Sequence, residues 1–161
     1  MYKVFIVDNE KVIISGLLAG INWKSLDCEV CGTASDGEEA LARIESAKPD
    51  IVITDVKMDP MDGITLTTRL QEKMPEIRCI IMTGYQEFKV AQTAANLQNI
   101  TRILLKPTSV FQVTEAVNYT IGLIGAQRKH SADYEEIIKN SKENLKLKYK
   151  FPKSSDYRKA S

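Results

Sequence analysis

Asp8, Asp55, Thr83 and Lys106 are the residues of this chain best placed to do chemistry together. Each stands just beyond a short apolar run, over residues 3–7, 51–54, 78–82 and 100–105. Taken singly, each has an ordinary explanation. Asp8 reads as a helix cap, Asp55 and Thr83 as turn residues, and Lys106 as a solvated cation. If the four runs are parallel strands of one sheet, those explanations become four coincidences. Polar groups just past the carboxyl ends of such strands converge on one face, where open α/β sheets build their sites.

The chemistry of such a cluster follows from its groups. Two carboxylates brought together repel, and a hard dication such as Mg²⁺, which takes oxygen ligands, offsets that repulsion. The same ion would neutralise phosphoryl oxygens arriving at Asp55. Aspartate is a competent nucleophile for phosphoryl transfer and gives an acyl phosphate. Lys106 supplies a point positive charge for the phosphoryl group or, at rest, for Asp55. The Thr83 hydroxyl is free to turn toward a new phosphate oxygen. Gly84 keeps the approach open and leaves a backbone N–H unused.

The elements that must position these groups are legible in the spacing. A strand over 3–7 precedes a helix from Lys11, with Val12, Ile13, Leu17 and Leu18 as its apolar face and Gly20 as its end. Trp23 reads as a core aromatic. A second strand over 29–34 leads through a turn and cap at Ser35-Asp36-Gly37 into a helix with Glu38 and Glu39 in its first turn. The Asp55 strand is followed by a helix over 64–73, the Thr83 strand by one over 87–97, and the Lys106 strand by one from Ser109 past Ile121. This strict alternation predicts a five-stranded, doubly wound parallel sheet with helices on both faces. Its crossovers should be right-handed.

Composition narrows the class. The 161 residues are 43% hydrophobic and 27% charged, as in globular proteins. No run approaches the roughly 18 apolar residues of a membrane span, so no membrane role is expected. The first residues pass straight into a strand pattern without a secretory signal. Three cysteines cannot all pair. Cys28 and Cys31 form a lone C-x-x-C with no second pair, and all three read as reduced thiols of a cytoplasmic protein. The net charge of +1 hides an asymmetry. Residues 1–125 carry 12 Lys/Arg against 16 Asp/Glu, whereas residues 126–161 carry 10 against 5. An acidic domain over 1–125 and a basic helix or linker with a disordered tail over 126–161 are therefore expected.

From Lys3 to about Ile124 the sequence resembles the receiver domain of two-component response regulators. The resemblance is carried by Val7-Asp8, Asp36-Gly37-Glu38-Glu39-Ala40-Leu41, Thr54-Asp55-Val56-Lys57-Met58 with Met61-Asp62-Gly63, Met82-Thr83-Gly84-Tyr85, and Leu105-Lys106-Pro107. It implies the flavodoxin-like, CheY-like (βα)5 fold. It implies that Asp55 accepts a phosphoryl group from a sensor histidine kinase, with Thr83 and Lys106 binding that group. By the same carry-over Asp8, Asn9, Asp55 and the Lys57 carbonyl hold Mg²⁺, and Lys106-Pro107 is a cis peptide. The chain would then be a signalling module with at most self-catalysed phosphoryl transfer and hydrolysis, not a metabolic enzyme. The Trp23 segment and Gly84-Tyr85-Gln86-Glu87-Phe88 are most similar to receivers of helix-turn-helix transcription regulators.

Three departures from the family pattern stand out. Asn9 occupies a place usually held by a second acid, which lowers the expected Mg²⁺ affinity. Asp59 follows Met58 where a proline is common, and Pro60 comes one residue late. Ile103 replaces the aromatic residue of the usual threonine–aromatic switch. These departures motivate an alternative, a degenerate receiver acting as a phosphorylation-independent interaction module.

Residues 126–161 are too few for a DNA-binding domain of ordinary size. DNA contact is expected only through an output domain not present in this chain, and a direct contact by the basic tail ranks behind a linker. Tyr134, Ile137, Ile138, Ser141 and Leu145 follow helical spacing, which suggests an amphipathic helix that extends helix five or pairs with a second copy. The receiver resemblance adds helices four and five as a second surface for a homodimer. Residues 145–151 alternate apolar and basic, a strand-like pattern, and 154–161 read as disordered. His130, the only histidine, reads as solvated.

Overall fold

The computed structural model describes residues 1–94 and 96–148. The chain runs β1 (Tyr2–Val7), α1 (Lys11–Gly20), a 3-10 turn (Trp23–Leu26), β2 (Cys28–Ala34), α2 (Gly37–Ala47) and β3 (Ile51–Asp55). It continues through α3 (Gly63–Lys73), β4 (Arg78–Thr83), a second 3-10 turn (Tyr85–Glu87), α4 (Phe88–Ala94), β5 (Ile100–Leu105) and α5 (Val110–Lys148). The five strands form one sheet in the order β2-β1-β3-β4-β5, and every pairing is parallel. This is the doubly wound architecture expected from the alternation.

The order has a direct consequence for where a site forms. The first crossover carries the chain from β1 to β2, and the next returns past β1 to β3. Connections after β1 and β3 therefore leave in opposite directions and open a crevice at their carboxyl ends. Right-handed crossovers place α1 on one face of the sheet and α2, α3 and α4 on the other. With both faces covered, β3 is buried along its whole length, and its Ile51-Val52-Ile53 run is what such a strand requires.

The larger core cluster joins Phe5, Val7 and Val52 of the sheet to Ala40 and Ile44 of α2 and Leu66 and Leu70 of α3. A smaller one, Val56, Ile81 and Ala91, with Ile64, Ile100 and Ile103 partly buried against it, holds α4. On the other side Leu17 of α1 and Val113, Ala116 and Val117 of α5 are buried. Trp23 is a core aromatic as expected, and its indole N–H donates to the Leu17 carbonyl at 3.2 Å.

Helix starts follow the capping residues. The Asp36 carboxylate accepts from the Glu39 N–H at 2.9 Å, and that of Asp62 accepts from the Thr65 N–H at 2.7 Å. In α1, however, only Leu17 of the four expected core residues is buried, and Val12 is 81% exposed. At 100° per residue Val12 sits about 140° round the helix from Leu17, too far to share its face. Gly20 is the last helical residue rather than the stop, and Ile21 caps α1. Helix α4 is shorter than the expected 87–97, ending at Ala94.

The three cysteines are free thiols. Burial pushes Cys28 up to about 11 and Cys79 up to about 12. Cys31 lies at an irregularity of the β1–β2 pairing, where Val4 faces Val30 and Phe5 faces Gly32.

The chain forms two compact units, Met1–Gly122 and Leu123–Ser161. Residues 145–148 are helical, so the strand-like reading of their alternation is corrected. An isolated strand has no ladder to satisfy its backbone, whereas a helix supplies its own hydrogen bonds. Residues 149–151 and 154–161, where that reading ended and disorder was expected, lie outside the described residues. Among the described residues no helix is long and apolar enough to cross a membrane.

One glycine locks α3 to the end of β3. A Cβ on Gly63 would lie 1.9 Å from the Asp55 carbonyl oxygen and 3.1 Å from the Thr54 hydroxyl. The Gly63 N–H donates to the Val56 carbonyl at 2.8 Å. Gly63→Ala is expected to destabilise the fold by about 1–3 kcal/mol, the range for overpacked sites. Urea unfolding followed by circular dichroism measures this as a lower midpoint at unchanged slope.

Candidate functional site

The carboxyl ends of β1, β3, β4 and β5 bring Asp8, Asp55, Thr83 and Lys106 into one crevice. Asp8 and Thr83 are fully buried, and Asp55 is 5% exposed. Lys106 threads in from the end of β5, its side chain 19% exposed. Its ammonium lies 3.0 Å from Asp8 Oδ2 and 3.1 Å from Asp55 Oδ2. Lys106 thus bonds an acid 98 positions away in sequence while also holding Asp55.

The remaining carboxylate oxygens are held by backbone. Asp8 Oδ1 accepts from the Glu10 N–H at 2.8 Å, and Asp55 Oδ1 from the Val56 N–H at 2.8 Å. Each acid is therefore fixed at both oxygens. The Thr83 hydroxyl donates to the Gly84 carbonyl at 3.2 Å, a long contact that a better acceptor would replace. The Lys106 N–H donates to the Thr83 carbonyl at 2.7 Å, which ties the last two strand ends together. Asn9 and Lys57 are exposed at the rim. Lys106–Pro107 is cis as the resemblance implies, and Asp59–Pro60 is also cis.

The electrostatics are those of an acid pocket with one counter-ion too few. Burial raises the Asp55 pKa above the ordinary aspartate value; Lys106 opposes the shift, and the negative charge of Asp8 adds to it. Burial acting alone would lower Lys106, but its hydrogen bonds to Asp8 and Asp55 win and raise it. Lys106 thus stays charged, one cation facing two carboxyl groups. Among the described residues no three His, Cys, Asp or Glu side chains gather as a metal cage. Oxygen donors beyond the two acids would be drawn from the Asn9 amide, from main chain and from water.

Several features of the site escaped the sequence reading. The Glu10 and Val56 N–H donors are loop geometry without a side-chain signal. Glu87, which pairs with Lys57 at 4.0 Å, was read as the start of a helix and as part of a family motif, with no role in the site. A groove of about 460 Å³ opens beside Lys106, lined by Glu10, Val12, Ile13, Leu17, Pro107 and Val110. Its exposed Val12 was expected in the core.

Residues 4–118 match the family described as response regulator receiver domain. Over 130 residues the chain is 35% identical to YesN of Bacillus subtilis, an uncharacterised transcriptional regulatory protein, covering 81% of this chain and 35% of that one. It is 32% identical over 118 residues to the response regulator VraR of Staphylococcus aureus, covering 73% of this chain and 56% of VraR. The chain thus spans about a third of one of these relatives and just over half of the other. Among solved structures, the receiver domain of the response regulator AraT from Geobacillus stearothermophilus superposes with a TM-score of 0.72 at 38% identity, over 78% of this chain and 98% of that one.

The raised Asp55 pKa makes stability fall with pH. An acid that binds its proton more tightly in the fold than in the unfolded chain costs stability as pH climbs from the ordinary aspartate range through the raised value. The loss is complete above that value. Asp55→Asn is therefore expected to raise Tm at pH 7, with the gain fading below the ordinary aspartate range. Lys106→Met does the opposite, because it leaves two buried carboxylates facing each other. A loss of about 3 kcal/mol is expected at pH 7, shrinking at lower pH as Asp55, whose pKa is raised, takes up its proton. Thermal melts of both variants across pH check the signs.

Proposed function

The chain belongs to the response regulator receiver family of two-component signalling, and on that premise we propose that Asp55 is its phosphoryl acceptor. The observation that carries the reading is the ammonium of Lys106 held between Asp8 and Asp55. An Asp55 oxygen attacks the phosphorus of a phosphohistidine on a sensor kinase. The P–N bond breaks, its electron pair stays on the imidazole, and an acyl phosphate forms on Asp55. Lys106 shifts its charge from the carboxylate to the phosphoryl oxygens, and the Thr83 hydroxyl turns from the Gly84 carbonyl to donate to one of them. The Gly84 N–H adds a second donor.

Asp8, Asp55, the Lys57 carbonyl and the Asn9 side-chain carbonyl would hold Mg²⁺. Two buried carboxylates suit a hard cation with oxygen ligands. When bound, the ion neutralises charge on the phosphoryl oxygens. Asn9 supplies an oxygen but no charge, so the site is weaker than one with an acid there.

The groove beside Lys106, with its exposed Val12 and Val110, offers the kinase an apolar seat next to the acceptor. Phosphorylation then biases the β4–α4 region and a homodimer contact through α4, α5 or the tail helix. On the β5–α5 side Arg102 already stacks on Tyr119 at 3.6 Å. DNA is reached through an output domain, as the transcriptional regulatory relatives suggest, and the setting is the cytoplasm.

Incubation with Mg²⁺ and acetyl phosphate, followed by intact-mass measurement, is expected to add one phosphoryl group to the wild type and none to Asp55→Ala. Omitting Mg²⁺ should suppress the label, and Asn9→Asp should lower the Mg²⁺ concentration needed for half-labelling about tenfold. Identical behaviour of wild type and Asp55→Ala would end the reading.

A further inference from the structure

The loops after β3 and β4 are joined by a side-chain contact outside the pocket. Glu87 closes the 3-10 turn that Gly84 opens, and its carboxylate folds back over that glycine. One oxygen lies 4.0 Å from Lys57 Nζ. The other lies 2.9 Å from the place a Cβ would take on Gly84. Lys57 stands two residues beyond Asp55, and Gly84 directly follows Thr83. The Glu87 side chain is 25% exposed, whereas that of Lys57 is 80% exposed. Glu87 therefore puts a negative charge in the space that the missing side chain leaves beside Thr83. An ion pair this exposed on one side contributes little to stability. Its location is what matters.

Building on the assignment of Asp55 as acceptor, we propose that Glu87 is a resident anion that an incoming phosphoryl group must displace, with Lys57 as the cation that changes partners. A phosphoryl group brings a charge of about −1.5 to −2. Like charges cannot share the edge of Gly84, so Glu87 moves out and Lys57 is drawn toward the phosphoryl oxygens. Glu87 immediately precedes α4. The small cluster of Val56, Ile81 and Ala91 is what anchors that helix, so departure of Glu87 is passed on to it. Glu87 is a positioning residue that sets the access of anionic donors and makes no bond itself.

Glu87→Gln tests this in the full chain, because Gln keeps the length and polarity of the side chain and removes only the charge. The probe is acetyl phosphate with Mg²⁺, and labelling of Asp55 is followed by mass spectrometry at two ionic strengths. Glu87→Gln is expected to label roughly three- to tenfold faster than wild type at low salt, as removal of one nearby like charge allows. The advantage should shrink at high salt. Lys57→Gln, which leaves Glu87 without its cation, is expected to label several-fold more slowly. Equal rates for wild type and Glu87→Gln at both ionic strengths would overturn the displacement role while leaving Asp55 as acceptor. So would a slower Glu87→Gln with a lowered Tm, the mark of a merely structural carboxylate; if that variant fails to fold, Lys57→Gln labelling at the wild-type rate overturns it equally. A wild type that takes no label removes the acceptor assignment, and this proposal with it.

Discussion

An ammonium group shared by two buried carboxylates sets the conditions under which everything else in the crevice operates. At about 3 Å and an effective dielectric near 20, each attraction between Lys106 and an acid amounts to roughly 5 kcal/mol before desolvation is charged against it. Removing three ionised groups from water costs several kcal/mol per ion. The balance is uneven across the three. Lys106 gains from its partners, whereas Asp55 is on balance penalised by its surroundings. Asp55 is thus a carboxylate kept in a place that disfavours its charge, with both oxygens already held by donors.

The fold earns this arrangement through topology. Reversal of the winding direction between β1 and β3 opens the crevice, and parallel pairing delivers four strand ends to it. The register makes the delivery local: Val7 pairs with Thr54, one residue short of Asp8 and Asp55, and Thr83 itself pairs with Leu105, one residue short of Lys106. The side chains below the site are fully buried on both faces of β3, so the pocket has a rigid floor.

How far the sequence alone reveals this depends on whether a feature is periodic or relational. The strands, most helices and the convergence of Asp8, Asp55, Thr83 and Lys106 follow from alternation and from position at strand ends. That Lys106 bonds both acids is a fact about side-chain conformers across 98 residues and has no local signature. Val12 and Leu17 looked equivalent by apolarity, and only the angle between them separates surface from core. The leucine–lysine alternation at 145–148 looked like a strand because pattern says nothing about who would complete the backbone hydrogen bonds. Glu87 passed as a helix starter because its meaning depends on a glycine three residues earlier and a lysine on another loop.

The contact between Gly63 and the Asp55 carbonyl carries a mechanical corollary. With no room for even a methyl group between them, the acid-bearing strand tip and the first turn of α3 form one stiff piece. The Gly63 N–H bond to Val56 bolts the same joint from the other side. This flank of the crevice therefore has little freedom to adjust. The opposite flank, at β4 and α4, rests on the smaller cluster of Val56, Ile81 and Ala91, so the two walls of the pocket differ in stiffness.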